Sequence, residues 1–444
     1  EEALFLLCSD VENYQHIPGL IYREKNNVVW NKNTDCVDMN NLPYPDFHSY
    51  VTELGTGSNE ILQYFQLYGR IPIELSRGCW WNKCSFCNVG AYHKKYREKN
   101  FDRFIEELLF LSDTYQILDF QVIGSTIPQN DYQTLCEKII RLNRDFTLII
   151  ESRAGLLKSN DYQLLRKAGF THIQTGIEAF SPSYLKKMKK GTRVIDNIAA
   201  LKFCKENHIK NSYNLIINYP NEEKVDFEET NNIIQLFSKY LEPPSISKFA
   251  LGYQSPIYDN VEEYNIQTIE PKLIDTIMYP KELLEKNFCF FYSFERKKKI
   301  PENPWNKLVS DWNTSYEEQK MLSVKRDNAL EELVFYYTDG GNFIKIFDKR
   351  FGDKALIYML NNDERKVFLA CTNVISETEV KEKVAHINSS ELNKILTSFI
   401  ETGIVYKEDE WYLSLPISYQ NYYHKNANEN CEDIEEIRTH MREL

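Results

Sequence analysis

From residue 71 onward, short apolar segments alternate with longer segments of helical spacing, and this alternation constrains the fold more than any other feature. The apolar segments are 71–75, 117–123, 146–150, 172–176, 213–217 and 247–251. The helical segments are 101–114, 132–143, 160–168, 194–206 and 227–240. Strand, helix and strand in regular order are typical of parallel pairing through right-handed crossovers. They predict an α/β fold, a partial (β/α)6 TIM-like barrel over residues 71–260, with chemistry at the carboxyl ends of its strands.

The sequence on either side of this barrel has a different character. Residues 1–70 contain a short helix, a hairpin-like stretch at 20–30 and a proline-marked segment at 42–47, which indicate a linker or the end of an upstream domain. Residues 261–350 have no clear period and are predicted as an irregular α/β extension. In 351–420, helices at 363–371, 376–385 and 389–402 and strands at 404–407 and 411–415 predict a small winged-helix-like α+β domain. Residues 421–444 are a polar tail.

Composition excludes several classes of protein. With 444 residues, 42% of them hydrophobic, the chain can bury a large core. The net charge of -12, and the single lysine of the helix at 391–402, argue against nucleic acid as the partner. No segment is long and apolar enough to predict a membrane span. The ten cysteines are dispersed except for one trio, which favours a reducing compartment, and we expect the cytoplasm.

The trio lies directly after the first predicted strand. Cys79, Cys84 and Cys87 share one short loop. Three thiolates can bind three irons of a 4Fe-4S cubane and leave the fourth iron open for a small molecule such as S-adenosylmethionine (SAM). The alternative is a structural zinc site with His93 as the fourth ligand, which the spacing also allows. The position after a barrel strand favours the cluster.

The segment 76–90, with the aromatic Phe86 before the last cysteine, resembles the radical SAM superfamily. The run Ser-Arg-Gly-Cys-Trp-Trp at 76–81 resembles the cobalamin-associated subgroup that matures ribosomally synthesised peptides. The segments that resemble the join after a cobalamin domain are 16–23 and 42–47. The signature of the fifth strand–helix unit of the superfamily is resembled by 168–169, 174–178 and 188–191. The segment by which the chain leaves the barrel is resembled by 241–244 and 255–258. The chain departs from the superfamily in having four residues, not three, between its first two cysteines, and Ile-Gly-Ser-Thr at 123–126 in place of Gly-Gly-Glu.

The resemblance also implies which residues contact SAM. They are Phe86, Gly124, Ser125, Glu151, Arg153 and Glu178. Arg153 is expected to pair with the SAM carboxylate, and Glu151 to accept from a ribose hydroxyl or the amino group. An ordinary surface ion pair between Glu151 and Arg153 is the alternative. The sequence does not identify which side chain, if any, is catalytic.

By resemblance, the function is reductive cleavage of SAM to a 5'-deoxyadenosyl radical that modifies an unactivated carbon, with a precursor peptide as substrate and flavodoxin or ferredoxin as electron donor. The reaction would be C-methylation if cobalamin is bound. The Asp-x-His-x-x-Gly pattern is absent and the sequence opens on Glu1. We therefore expect either a cobalamin domain upstream or a cobalamin-free epimerisation or cross-linking.

Two other hypotheses remain open. The first is a radical SAM enzyme acting on a small metabolite. The second is a zinc-stapled winged-helix binding protein without catalysis. The winged-helix-like domain itself would either capture a peptide by strand addition or pack on the barrel as a lid.

Overall fold

The structure is a computed structural model. It describes residues 2–32, 36–57, 59–286, 289–296, 303–325, 333–352 and 354–424. The predicted polar tail therefore lies outside the described residues from 425 onward.

The described part of the first 70 residues contains one hairpin and three α-helices. Their elements are α1 (Glu2–Ser9), β1 (Ile21–Glu24), β2 (Asn27–Trp30), α2 (His48–Gly57) and α3 (Asn59–Tyr68). The hairpin predicted at 20–30 is confirmed, with Ile21 paired antiparallel to Trp30 and Lys25 taking the left-handed turn conformation at φ 54°. Helices α2 and α3 were not predicted from the sequence.

The parallel sheet predicted from residue 71 is present. Its elements are β3 (Ile71–Glu74), β4 (Ser76–Arg77), α4 (Val89–Tyr92), β5 (Arg97–Glu98), α5 (Phe101–Tyr115), β6 (Asp119–Ile123), α6 (Tyr132–Arg141), β7 (Thr147–Arg153), α7 (Ser159–Lys167), β8 (Phe170–Gly176), α8 (Pro182–Lys187), α9 (Val194–Glu206), β9 (Lys210–Ser212), β10 (Asn214–Ile217), α10 (Lys224–Ile234) and β11 (Ser245–Lys248). Strands β3, β6, β7, β8 and β9 pair in that order, and all four pairings are parallel. Strand β10 continues the sheet by pairing with β11 and by a bridge between Glu178 and Leu215. The consecutive strands are therefore neighbours, as in a TIM-like partial barrel.

The fifth predicted strand is divided into β9 and β10 at Tyr213. Its side chain is 3% exposed and packs against Phe180 and Trp312, and its hydroxyl donates to the Glu242 carbonyl at 2.6 Å. The Tyr213 carbonyl accepts from the Ser245 N–H at 3.0 Å, so at this residue the strand changes from pairing with β8 to pairing with β11.

Alternate strand residues face the helices. Ile73, Val122 and Ile173 are at most 1% exposed in the core between sheet and helices. The proline-marked segment packs outside this layer, where Phe47 donates its backbone N–H to the Tyr115 hydroxyl at 2.7 Å and the Arg103 guanidinium lies over the Tyr44 ring. The segment therefore lies on the barrel surface, as a linker that wraps onto it would.

The chain after the barrel forms two further sheets and one long helix before the last helices. These elements are β12 (Leu251–Gly252), α11 (Pro256–Asp259), β13 (Ile266–Pro271), α12 (Leu273–Met278), α13 (Lys281–Leu284), β14 (Phe291–Arg296), α14 (Asn303–Lys325), β15 (Phe335–Asp339), β16 (Ile344–Asp348) and β17 (Leu356–Leu360). Strands β12, β14 and β13 form one antiparallel sheet. The second sheet contains β17, β16 and β15 together with a strand that comes later in the chain. Its strands lie on both sides of residue 350, so this sheet crosses the expected domain boundary.

The three helices and the hairpin predicted near the C-terminus are present. They are α15 (Asn362–Ala370), β18 (Ile375–Ser376), α16 (Glu377–Lys383), α17 (Ser389–Glu401), β19 (Val405–Glu408), β20 (Trp411–Ser414) and β21 (Ile417–Ser418). Strand β20 pairs with both β18 and β19, and β21 completes the sheet of β15 to β17. The assignment of this region to the winged-helix class, and the division of the chain into domains, stay predictions.

Helix α9 joins the barrel to the C-terminal region. Twelve of its thirteen residues are buried, because the sheet covers one side and β19 to β21 cover the other. Glu408 accepts the first two N–H groups of the helix, at 3.2 and 2.6 Å, and Lys202 donates to the Ser414 carbonyl at 2.8 Å. A carboxylate at a helix N-terminus satisfies donors that have no partner within the helix. The beginning of α9 is therefore held in place by the hairpin.

Among the described residues, no helix combines the length and the apolar character needed to cross a membrane.

Candidate active site

The cysteine loop, residues 78–88, lies at the carboxyl end of β3. Strand β4 leads into it and pairs antiparallel with β5, which follows it. Gly78 opens the loop with φ +83°, and a Cβ at this position would lie 3.1 Å from the Lys95 carbonyl oxygen. A glycine suits this turn because it has no side chain to collide with the returning backbone. The loop therefore starts at the rim where parallel barrels place their chemistry.

Ser85 anchors the middle of the cysteine loop. It is fully buried, donates its backbone N–H to the Met188 carbonyl at 3.0 Å and accepts from the Ile257 N–H at 3.1 Å. Its hydroxyl lies 2.7 Å from that of Tyr219. The segment between the second and third cysteines is thus fixed to three distant parts of the barrel.

The three cysteines form a suitable donor set for an iron–sulfur cluster. Cys79, Cys84 and Cys87 are free thiols and half-buried. Burial raises the pKa of Cys84 and of Cys87, while the nearby Lys190 and Arg153 act to lower the pKa of Cys84. Thiolates are the ligands that iron–sulfur clusters prefer, and neighbouring cations favour the thiolate form. The residues present therefore fit the group.

His93 has a different environment. Its pKa is lowered by burial and then by Arg97 and Arg77, and no cysteine contributes to this shift. Within the described part of the chain, no three Cys, His, Asp or Glu side chains converge closely enough for one metal ion, and this includes the three thiols, which a cubane would bind through three separate irons. The zinc hypothesis gains no support from the position of His93.

A cationic wall borders the cysteine loop on the side of β7 and β8. The Arg153 guanidinium lies 4.3 Å from the centre of the Trp81 ring and donates a hydrogen bond to the Lys190 carbonyl. The Lys190 ammonium pairs with Glu178 at 2.9 Å and lies 5.8 Å from the centre of the Phe86 ring. Two buried positive charges therefore lie beside the thiols.

A cleft of about 320 Å³ opens on the other side of the loop. Its lining includes Gly124, Ser125 and Glu151, together with Gln121 and Gly78. Burial raises the pKa of Glu151, and the charge of Glu178 adds to this effect. No hydrogen bond or ion pair from the described residues reaches the Glu151 carboxylate. The cleft thus presents an acceptor with free lone pairs next to the cysteine loop.

The structure divides the six residues expected to contact SAM into two groups. Gly124, Ser125 and Glu151 line the cleft, whereas Phe86, Arg153 and Glu178 belong to the cationic wall. A surface ion pair between Glu151 and Arg153 is not seen among the described contacts, and Arg153 is only 9% exposed. Their contacts with SAM stay predictions.

Sequence reasoning missed Lys190 and Ser85 as parts of this site. Lys190 lies within the Met-Lys-Lys-Gly motif at 188–191, which was the available signal. Ser85 carries no such signal, because its partners lie about 100 residues or more away in the sequence.

Comparison with known proteins assigns the barrel to a family. Residues 73–234 match the model of the radical SAM superfamily. This match identifies residues 73–234 as a radical SAM domain. The fold of that superfamily implies a 4Fe-4S cluster and SAM as cofactors.

Individual relatives are distant and only partly covered. The chain is 25% identical over 278 residues to the anaerobic magnesium-protoporphyrin IX monomethyl ester cyclase of Rubrivivax gelatinosus, a match covering 60% of this chain and 49% of that protein. It is 28% identical over 159 residues to the hopanoid C-3 methylase of Methylococcus capsulatus, covering 35% and 30% of the two chains. The chain spans about half the length, or less, of these curated relatives.

A solved structure supports the fold. It is the radical S-adenosylmethionine methyltransferase TsrM of Kitasatospora setae with tryptophan and a SAM analogue bound, at a TM-score of 0.51 and 16% identity. The match covers 71% of this chain and 66% of that one. At this identity the likeness concerns the fold alone.

Proposed function

We propose that this chain is a radical SAM enzyme whose cluster is held by Cys79, Cys84 and Cys87. The observation that carries the proposal is the position of three free, half-buried thiols on one loop at the carboxyl end of the first barrel strand. Bound there, the cluster and SAM would supply the reductive cleavage that yields methionine and a 5'-deoxyadenosyl radical.

The protein's own contribution is to position these groups and to limit the access of water. Ser85 holds the loop rigid through its hydrogen bonds to two other segments. Gly124 and Ser125 offer backbone carbonyls, and Glu151 a free carboxylate, to the amino group or ribose hydroxyls of SAM. On the side of the cysteine loop away from the cleft, the Arg153 guanidinium lies over the Trp81 ring, and the two groups cover the loop.

The proposal is tested by anaerobic reconstitution with iron and sulfide, reduction with dithionite and an assay for 5'-deoxyadenosine. We expect about four irons per chain and deoxyadenosine formed from SAM. A colourless protein with one zinc and no deoxyadenosine would instead support the binding-protein hypothesis.

We further propose that the outcome is methyl transfer to a carbon atom, with cobalamin as the methyl donor. The similarity to a hopanoid C-3 methylase and to an uncharacterized methyltransferase of Pyrococcus horikoshii supports the methyl-transfer part of this proposal. Methyl transfer to a carbon radical needs a methyl donor close to the cluster, which a cobalamin domain would supply. Without cobalamin, the alternatives are epimerisation and cross-linking.

For the substrate, we propose a peptide. The inner face of the barrel is polar, since Glu151, Gln174 and Ser212 lie in one register row across β7, β8 and β9, with His172 bonded to Ser212 at 2.8 Å. Gln174 is exposed to the barrel interior. Hydrogen-bonding side chains at this position favour a substrate with amide or hydroxyl groups over a hydrocarbon.

Strand β17 offers a docking edge for that peptide. It is the outermost strand of its sheet and pairs only with β16 among the described strands. Leu356, Ile357 and Met359 on it are 51%, 57% and 57% exposed. Apolar side chains on an unpaired edge suit an extended peptide that adds as a further strand. The terminal hairpin, where strand addition was also expected, packs against α9 and leaves β19 as the outer strand of its own sheet, so addition there stays a prediction.

The Ile357→Glu variant tests this edge. We expect it to weaken binding of a labelled precursor peptide about tenfold or more, because burial of an isoleucine side chain contributes about 1.5–3 kcal/mol. Fluorescence anisotropy measures the affinity. Ile277→Glu is the matched control, since Ile277 is 73% exposed on α12. Equal affinity of both variants would contradict peptide binding at β17 and favour a small metabolite as substrate.

A further inference from the structure

A second loop, residues 188–191, is hydrogen-bonded to the cysteine loop along its length. Ser85 donates its N–H to the Met188 carbonyl at 3.0 Å, and the Trp81 indole donates to the Lys189 carbonyl at 3.3 Å. The Arg153 guanidinium donates to the Lys190 carbonyl. Three consecutive carbonyls are thus used to hold this loop, which we call the lysine loop, against the thiols.

The lysine loop buries one charged side chain at the site. Lys190 is 6% exposed, and its ammonium lies 2.9 Å from a Glu178 oxygen. A Cβ at Gly176 would lie 2.8 Å from the same ammonium nitrogen, so a larger residue at this strand position would push the flexible end of the Lys190 side chain aside. Lys190 also lies over the ring of Phe86, which stands between Cys84 and Cys87 in the sequence. The ion pair is therefore built into the wall of the thiol site.

The two members of the pair act on the thiols with opposite sign. The Lys190 ammonium, which lies over the Phe86 ring beside Cys87, favours added negative charge at the thiol site, and the Glu178 carboxylate paired with it at 2.9 Å disfavours such charge. Neither charge is well screened by water, because both side chains are largely buried. A buried positive charge lowers the energy of an electron added to a cluster at this site, and a buried negative charge raises it.

We propose that the Lys190–Glu178 pair sets the reduction potential of the cluster bound by the cysteine loop. The inference rests on the proposed function. Reduction by one electron makes the cluster more negative, so the ammonium of Lys190 stabilises the reduced state and raises the potential. Glu178 offsets this effect and holds Lys190 in place. Both residues act as positioning residues that work through the cluster.

The test is a redox titration of the reconstituted cluster without SAM, monitored by electron paramagnetic resonance. Lys190→Met should lower the midpoint potential, and Glu178→Gln should raise it, because it leaves the ammonium without its counter-charge. A tenfold change in the equilibrium between the reduced and oxidised states corresponds to about 59 mV for one electron. We expect shifts on this order of magnitude and in opposite directions.

Two controls separate charge from structure. Lys190→Arg keeps the charge and should stay close to the parent potential. Lys189→Met removes a neighbouring lysine whose side chain is exposed, and it should leave the potential unchanged. A purely structural role would move the potentials of Lys190→Met and Glu178→Gln in the same direction.

The outcomes distinguish this inference from the proposed function. Equal potentials in all variants, with full iron content, would overturn the role of the pair while leaving the radical SAM assignment intact. If Lys190→Met does not hold a cluster, the midpoint potential of Glu178→Gln tests the inference instead: a rise supports the role of the pair, and no change or a fall overturns it. Failure of the parent chain to bind iron would overturn the proposed function itself.

Discussion

Replacement of Cys84 by alanine is expected to abolish 5'-deoxyadenosine formation. Two thiolates remain on the loop, and a cubane that needs three protein ligands loses its anchor on one iron. Cys84 lies between the other two ligands in the sequence and directly before the anchored Ser85. Apart from Cys79 and Cys87, the loop contains no described thiol that could replace it. The iron content after reconstitution and the yield of deoxyadenosine measure the effect.

Cys36→Ala is the matched control for this prediction. Cys36 is also a free, half-buried thiol, but it lies in the segment before the barrel. Its replacement should leave the iron content and the deoxyadenosine yield at the parent level. Full activity in Cys84→Ala, or equal losses in both variants, would contradict the assignment of the cluster ligands.

Gly191→Ala is expected to have the largest effect on stability. Gly191 has φ +69°, and a Cβ at this position would overlap the six-membered ring of Trp81. That ring is held by the Lys189 carbonyl and by Arg153, so it can move only by losing both contacts. Left-handed backbone costs a side-chain-bearing residue about 1–2 kcal/mol, and overpacking about 1–3 kcal/mol more. We expect the free energy of unfolding to fall by about 2–5 kcal/mol, measured by urea denaturation followed by tryptophan fluorescence.

Gly341→Ala separates the two causes. Gly341 has φ +86°, and no heavy atom lies within 4 Å of where its Cβ would be. This variant suffers the backbone strain alone, and we expect a loss of about 1 kcal/mol. Gly191→Ala should also lower the iron content after reconstitution, since displacement of Trp81 disturbs the cysteine loop. Equal losses of stability in the two variants would show that contact with Trp81 is unimportant.

The barrel could be predicted from the sequence because its pattern is local. Each strand is a short apolar run and each helix shows a period of its own, as in 117–123 followed by 132–143. The regions at 48–68 and 261–350 could not be predicted in the same way. Strands β12, β13 and β14 pair across long connections, so their partners leave no mark in the neighbouring sequence.

The candidate site shows the same division. The sequence by itself determined the three thiols, their place after the first strand and the family to which the barrel belongs, because these depend on residue types at short spacing. Only the tertiary structure decided which charges face the thiols. Lys190 meets Glu178 across 12 residues, and Ser85 meets Tyr219 across 134. Such partners are brought together by the packing of the whole barrel, and local spacing contains no information about them.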